Sequence, residues 1–136
     1  MTVVVAYSED DQGRAALSYG VAEATLRGSD LVVVNATRGD AYVDRRFAAG
    51  SAADHLRDEL ARLGVDADVR QPIDPDIAGA VLAVVAEVGA DELVIGIRHR
   101  SPVGKAITGS VAQRLLLDSP VPVLAVKHDG RADSAV

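Results

Sequence analysis

The residues best suited to chemistry lie in one glycine-rich, basic stretch that runs from Gly96 to Ser110. The stretch follows an apolar run and precedes an amphipathic segment, so Gly109 and Ser110 stand where a helix should begin. Glycine lets backbone amides approach a phosphate, and a helix N-terminus adds partial positive charge. Arg98 and Lys105 lie in the same stretch of a chain whose net charge is −6, which favours an anion site. The alternative is that the glycines serve turns and the basic side chains form a solvated face.

Two common phosphate-binding motifs are absent from the sequence. Gly104-Lys105 matches the end of the P-loop pattern, but Ala106 replaces the hydroxyl residue that would bind magnesium, and His99 replaces the first glycine. The dinucleotide-binding fingerprint needs three glycines after the first strand, whereas residues 8–13 contain a single glycine. Both motifs are therefore excluded, and the anion-site hypothesis depends on the stretch as a whole.

Five short runs predict the strands that would position this stretch. Four are apolar without polar alternation, as expected for strands covered on both faces, and one alternates with period two, which predicts a half-exposed edge strand. Pro122 in the last run cannot donate to a ladder, which favours a free sheet edge there. The predicted strands are Val3–Tyr7, Leu31–Val34, Val65–Arg70 (the alternating run), Leu93–Ile95 and Val121–Val126.

Four longer segments between these runs predict helices. Residues 8–11 supply capping and first-turn acids for the first of them. We expect Asp74 to cap the third helix with Pro75 at its first position, and Ser110 to cap the fourth. The predicted helices cover residues 8–27, 51–63 and 74–88, and the fourth begins at residue 110. The apolar side chains expected on their core-facing sides include Tyr19, Leu26, Leu63 and Leu116.

The alternation of strands and helices predicts the fold class. Crossover connections between successive strands give a parallel sheet with helices on both faces. The expected fold is thus an α/β, doubly wound domain with a five-stranded, mainly parallel sheet. Sheets of this kind bind ligands beyond the carboxyl ends of their strands, where the strand order reverses. The loops after Tyr7, Ala36 and Ile95 are therefore the expected place for a site, and residues 37–50 are interpreted as a mobile loop.

Length and composition restrict the class of protein. The 136 residues suit a single domain, which we assign to residues 1–127, with a polar, disordered tail at 128–136. The excess of 20 acidic over 14 basic residues argues against a nucleic-acid partner, and the absence of cysteine excludes disulfides and thiol nucleophiles. No apolar run reaches the roughly 18 residues of a membrane span, and the chain begins like a strand rather than a signal peptide. We therefore expect a cytoplasmic protein without a membrane partner.

No constellation of residues predicts an active site or a metal centre. His55 and His128 lie far from His99 in the sequence and show no metal-ligand spacing. Ser110 has no set of His and Asp partners that would make it a nucleophile. The acids of residues 9–11 are better explained by helix capping than by acid–base chemistry.

From Val3 to Lys127 the chain resembles the universal stress protein family. Nucleotide-binding members of that family share a glycine, two residues, a second glycine, nine residues, and then Gly-Ser or Gly-Thr. Here Gly96 is followed by two residues, by His99 in place of the second glycine, and by nine residues before Gly109-Ser110. Residues 120–126, Pro-Val-Pro-Val-Leu-Ala-Val, are similar to the last strand of the family.

The resemblance implies a nucleotide pocket at the strand ends. Carried over by position, the pocket consists of Ala6, Ser8, Ala36, Ile95, Gly96, His99, Gly109, Ser110 and Val111, with Arg98 and Lys105 beside the phosphates. Two positions depart from the family pattern. His99 adds a Cβ and a ring where a glycine lets the backbone approach the phosphates, and Ser8 stands where an aspartate is usual. Ser8 still offers the ribose a hydrogen bond, weaker than one to a carboxylate, and protonated His99 offers one to a phosphate.

The function expected from the resemblance is that of a regulatory or stress-response module. It would bind ATP, AMP or a related adenine nucleotide, with magnesium accompanying the nucleotide, and would be no enzyme beyond slow ATP hydrolysis. The alternative is a dimeric interaction protein of the same fold in which His99 and Ser8 have closed the pocket. The resemblance also implies a homodimer through the last strand, Val121 to Val126, whose ladder edge is free to pair.

Overall fold

A computed structural model describes residues 1–38, 54–98 and 109–128 of the chain. Over these ranges strands and helices alternate as the sequence predicts. The strands are β1 (Thr2–Ala6), β2 (Asp30–Val34), β3 (Ala67–Arg70), β4 (Glu92–Arg98) and β5 (Val123–His128). The helices are α1 (Asp11–Arg27), α2 (54–62 in its described part), α3 (Ile77–Val88) and α4 (Ser110–Asp118).

The five strands form one sheet in the order β3-β2-β1-β4-β5, and each neighbouring pair is parallel. This confirms the predicted α/β class with its parallel sheet. It also confirms that β3 is an edge strand, and it makes β5 the opposite edge. The order reverses at β1, because the chain first adds β2 and β3 on one side and then returns to place β4 and β5 on the other.

Two apolar layers hold the helices against the two faces of the sheet. Successive strand residues point to opposite faces, so Val3 and Val5 pack toward α1 and α2 while Val4 packs toward α3 and α4. All three valines are 0% exposed, which explains why β1 carries an unbroken β-branched run. On the α4 side the layer is completed by Leu115, which is buried between the helix and the sheet.

Helix α1 packs on the sheet through small residues. Its buried positions include Gly13, Ala16 and Gly20, and a Cβ at Gly20 would collide with the side chain of Val5. The predicted core-facing side of α1 was partly wrong: Leu17 is buried as expected, but Tyr19 and Leu26 lie outside the buried side, whose residues recur every three or four positions. The large apolar side chains predicted as buried but found exposed are Tyr19 (57%), Leu26 (82%), Leu63 (57%) and Leu116 (42%).

The structure shifts several predicted strand boundaries. The ladder between β4 and β5 continues past Ile95, so β4 ends at Arg98 rather than before Gly96. The last strand begins at Val123, after Pro122, whose carbonyl accepts a hydrogen bond from the amide of Leu93 at 3.0 Å. It ends at residue 128, which had been assigned to the polar tail. Strand β1 stops one residue short of its predicted end, and β3 starts two residues late.

The start of α3 also differs from the prediction. Asp76, not Asp74, is the N-cap, and its carboxylate accepts a hydrogen bond from the amide of Gly79 at 3.1 Å. Asp74 instead accepts from the amide of Asp76 at 2.8 Å, so Pro75 lies before the helix rather than at its first position. The two acids thus form consecutive turns, and the later one takes the capping role.

Parts of three predicted segments lie outside the described residues. Thr37 is described and pairs with Ile73 in an isolated parallel bridge, so the β2–β3 ladder extends into the segment predicted as a loop. The rest of that segment from residue 39, and the predicted start of α2, lie outside the described residues. So do most of the glycine-rich stretch, residues 99–108, and residues 129–136.

Candidate functional site

The candidate site lies at the carboxyl ends of β1 and β4, where the strand order reverses. The chain leaves β1 for α1 on one face of the sheet and leaves β4 for α4 on the other face. Connections that depart in opposite directions separate at this point and leave a crevice above the strand ends. The carboxyl ends of β1 and β4 therefore border one crevice, and the end of β2 adjoins it beside β1.

Four of the predicted pocket residues belong to a single apolar cluster on the α3–α4 side of the sheet. Ile95 is buried there, and Ala6, Ala36 and Val111 are partly buried against the same cluster. Ile97 joins them, since it points to the same face of β4 as Ile95. The strand ends thus offer an apolar surface next to the start of α4, of a kind that suits one face of a flat, aromatic ligand.

Gly96 lies inside β4, opposite Val126 of β5, and points to the other face of the sheet. A Cβ there would lie 2.5 Å from the carbonyl carbon of Gln12 and closer still to its oxygen. The first turn of α1 therefore passes directly over Gly96. The structure thus gives this glycine a packing role, whereas the sequence suggested that it lets the backbone approach a phosphate.

Ser8, the residue carried over after β1, is tied to the start of α1. Its hydroxyl donates to Oδ1 of Asp10 at 2.7 Å, and the same oxygen accepts from the amide of Gly13 at 2.8 Å. Asp10 is the N-cap of α1, which confirms the capping role expected for this acidic run. Because the Ser8 hydroxyl proton is engaged by Asp10, its remaining capacity toward a ligand is that of an acceptor.

The N-terminus of α4 is open. Its N-cap is Gly109, which supplies no side-chain hydrogen bond, and Ser110 is the first helical residue rather than the cap predicted from the sequence. By contrast, Asp10 and Asp76 place carboxylate oxygens on the first-turn amides of α1 and α3. Among the described residues no side chain caps the first-turn amides of α4, which is the sense in which this helix end is open, and these amides carry the partial positive charge of a helix end.

The basic residues predicted for the site fall largely outside the described part of the chain. Arg98 is the last residue of β4 and pairs through its backbone with His128 of β5, which places it at the crevice edge. His99 and Lys105 lie outside the described residues. Their predicted contacts with phosphates therefore remain predictions.

Two further residues at the strand ends were missed by the sequence analysis. Asn35 follows the last valine of β2, is only 7% exposed, and donates its backbone amide to the carbonyl of Arg70 at 2.8 Å. Tyr7 follows β1, and burial together with the charge of Glu9 raises the pKa of its hydroxyl, so that it stays neutral at pH 7. The sequence feature that could have indicated both residues is a polar residue directly after an apolar run, because it marks the end of a strand.

A pair of acids lies at the opposite, amino end of β4. Burial, followed by the hydrogen bond and negative charge of Glu23, raises the pKa of Glu92, and Arg27 opposes this shift. Arg27 also pairs with Glu23 at 3.1 Å, and Glu92 Oε1 is buried without a hydrogen-bond partner among the described residues. This pair lies away from the crevice, so its charges bear on stability rather than on ligand binding.

Metal-ligand clusters and membrane-spanning helices were sought in the described residues. Within residues 1–38, 54–98 and 109–128, no group of three or more His, Asp or Glu side chains converges as metal ligands would. None of the described helices combines the length and the apolar character needed to cross a bilayer.

The fold and its crevice define an open, doubly wound α/β domain, and comparison with known proteins supplies the family. Residues 1–127 match the model of the universal stress protein family, and the chain belongs to that family. A universal stress protein from Mycolicibacterium smegmatis is 51% identical over 128 residues, which cover 94% of this chain and 98% of that protein.

Solved structures of universal stress proteins share the fold. One from Archaeoglobus fulgidus has a TM-score of 0.80 and 29% identity, and the match covers 93% of this chain and 98% of that one. Another from the same organism, in complex with dAMP, has a TM-score of 0.65 and 24% identity over 93% of this chain and 98% of that one.

Proposed function

We propose that this universal stress protein is a cytoplasmic regulatory or stress-response module that binds ATP, AMP or a related adenine nucleotide. The observation that carries the proposal is the open N-terminus of α4 beside the apolar ends of β1, β2 and β4. An uncapped helix end binds anions, and an apolar strand edge suits a base, so the two together fit a nucleotide. The complex of dAMP with a protein of the same fold supports the choice of an adenine nucleotide.

In this proposal the base lies against Ala6 and Ala36 at the strand ends, and the phosphates lie on the first-turn amides of α4 that follow Gly109, the amide of Val111 among them. The Ser110 hydroxyl and the side chains of Arg98, His99 and Lys105 add donors to the phosphates, and the Ser8 hydroxyl accepts from the ribose. The remaining pocket residues, Ile95 and Gly96, shape the floor beneath them. Magnesium would enter with the nucleotide phosphates. The protein would act by binding, with slow ATP hydrolysis at most.

The experiment is a calorimetric titration of nucleotide-free protein with ATP and AMP, after denaturing a fresh sample to identify any nucleotide it carried. Gly109→Val is the informative variant. A Cβ at Gly109 meets none of the described residues within 4 Å, and its φ of −62° suits any residue, so the fold should tolerate the change. The branched side chain would obstruct the phosphate position, and binding should be lost while the melting temperature is kept. Unchanged binding by Gly109→Val would contradict the proposed phosphate position.

Substitution of His99 tests whether the pocket is open or obstructed. If its ring crowds the phosphates, His99→Gly should tighten ATP binding. If His99 donates to a phosphate, the same variant should bind more weakly, and the difference should grow below about pH 6.5, where an ordinary imidazole is protonated. An affinity that the substitution leaves unchanged would place His99 outside the pocket.

The second candidate function is a dimeric interaction protein whose activity needs no nucleotide. Two observations favour it: β5 is an edge strand of the described sheet, and α4 carries two exposed apolar side chains, Leu116 and Leu117 (83% exposed). A second copy could pair along Val123 to Val126 and cover this apolar surface. Light scattering on nucleotide-free protein measures its mass: a dimer supports this assembly, and a monomer at micromolar concentration would exclude it.

A further inference from the structure

Helix α4 is short and is attached to the rest of the fold at few points. Of its nine residues, Leu115 is the one that is fully buried. Val111 and Ala112 are partly buried against the same apolar cluster. A polar contact is added to these: Arg114 Nη1 lies 2.5 Å from Oδ1 of Asp76. The position of α4, and hence the direction of its first-turn amides, therefore depends on this ion pair as well as on its apolar contacts.

The ion pair joins the N-terminus of α3 to the middle of α4. Helix α3 follows β3 and α4 follows β4, so in a parallel sheet both helices begin at the carboxyl edge, which carries the candidate site. Asp76 is the N-cap of α3 and holds the amide of Gly79, so it is fixed by its own helix. Arg114 is the fifth of the nine residues of α4. The pair thus connects the body of α4 to a fixed point on its neighbour.

The charge state of the pair is stable near neutral pH. The hydrogen bond from the amide of Gly79, and then Arg114, lower the pKa of Asp76. Arg114 also approaches the carboxylate of Asp118 within α4, at 3.6 Å. Because Asp118 belongs to the same helix as Arg114, that second contact cannot fix α4 relative to α3, and it provides a matched control.

We propose that Asp76 and Arg114 are positioning residues, which hold α4 so that its open N-terminus is aimed at the phosphate of a bound nucleotide. The inference rests on the proposed nucleotide-binding function and adds to it two residues that do not touch the ligand. It separates the phosphate from the nucleoside, because the pair acts on the helix that receives the phosphate and not on the strand ends that receive the base.

The direction in which Asp76→Asn changes AMP affinity distinguishes a positioning role from a direct electrostatic effect on the phosphate. Asn is as good an N-cap as Asp, so Asp76→Asn keeps α3 capped and removes the charge that holds Arg114. Loss of a negative charge near an anion site would by itself tighten phosphate binding. Positioning predicts the opposite result, since α4 would lose its polar attachment.

The experiment compares AMP with adenosine by calorimetry on the wild-type protein and on Asp76→Asn, Arg114→Lys, Arg114→Gln and Asp118→Asn. We expect Asp76→Asn and Arg114→Gln each to weaken AMP binding about two- to fivefold, the range of an exposed ion pair, with adenosine affinity unchanged. Arg114→Lys should recover part of the loss. Combining Asp76→Asn with Arg114→Gln should cost no more than either change alone. Asp118→Asn should leave both affinities unchanged.

Three results would overturn the inference, and they can be told apart. Tighter or unchanged AMP binding by Asp76→Asn would refute positioning while leaving the proposed function intact. Equal losses for AMP and adenosine would show that the pair supports the fold in general. Wild-type protein that binds neither ligand would refute the proposed function and the inference with it.

Discussion

Replacing Gly96 by alanine should destabilise the protein although it adds only one methyl group. Gly96 lies in β4 beneath the first turn of α1, and the new Cβ would come within 2.5 Å of the Gln12 carbonyl carbon. The obstacle is backbone, so it cannot move aside as the end of a side chain would. Carbon atoms in contact prefer about 3.5 Å, so α1 would have to retreat by about 1 Å at its N-terminus.

The size of the effect follows from how tightly α1 is packed. Overpacking of a dense interior costs about 1–3 kcal/mol. Alanine returns up to about 1 kcal/mol by restricting the unfolded chain. Retreat of α1 would also loosen the contact at Gly20, where the same helix approaches Val5 of β1. We therefore expect the free energy of unfolding to fall by about 2 kcal/mol, which corresponds to a fall in Tm of about 8 °C for a domain of this length.

The assay is urea unfolding monitored by circular dichroism, with Gly109→Ala as the matched control. Both substitutions add a Cβ to a glycine of the same stretch, but a Cβ at Gly109 has no atom of the described part of the chain within 4 Å. The control should therefore stay within about 0.5 kcal/mol of the wild type. Equal stability of the two variants would refute the conclusion that Gly96 exists for the approach of α1.

Three further predictions concern stability. The raised folded-state pKa of Glu92 means that its contribution is present at acid pH and is lost as pH rises through that pKa. Glu92→Gln should therefore raise Tm at pH 7, and the gain should shrink as pH falls through the raised pKa and vanish near the ordinary glutamate pKa of about 4.3; a gain that does not vary with pH would count against this. Leu115→Ala should cost about 2–5 kcal/mol in urea unfolding, because Leu115 is 1% exposed and anchors α4; a smaller loss would mean that α4 is held elsewhere. Asp10→Ala should cost about 1 kcal/mol through loss of the α1 cap, whereas Asp10→Asn should keep most of it, and thermal melts of the two variants test the difference.

Much of the fold could be predicted because its signals are local. Unbroken β-branched runs such as residues 3–5 indicate strands covered on both faces, and the structure buries them completely. Gly28 and Gly89 stop their helices in the left-handed conformation, with φ of 64° and 62°, as a glycine after a periodic segment predicts. The alternation of strands and helices then leaves a parallel sheet as the consistent topology.

The features that escaped prediction depend on distances between elements. The sequence alone does not show how closely α1 approaches the chain beneath it at Gly20, and this approach marks the inner side of the helix, from which Tyr19 and Leu26 point away. For the same reason it suggested a phosphate role for Gly96, which the structure explains by the carbonyl of Gln12. The ion pair between Asp76 and Arg114 joins residues 38 positions apart, and no local pattern indicates it.

In the candidate site, too, some features could be predicted from the sequence and others could not. Its apolar residues, Ala6, Ala36 and Val111, were placed by strand ends and by family resemblance, and the structure gathers them in one cluster. The role of Ser110 was misjudged, because the capping preference of serine is a local rule and the helix begins one residue earlier than that rule assumed.

The central claim is that a nucleotide phosphate binds at the open N-terminus of α4, and backbone amide NMR tests it most directly. Titration of the nucleotide-free protein with AMP should shift the amide resonances of Ser110, Val111 and Ala112 more than those of the first turns of α1 and α3, whose amides face capping carboxylates. Adenosine should reproduce the shifts at the ends of β1 and β2 without those of α4. Saturating AMP that leaves the α4 amides unmoved would contradict the claim.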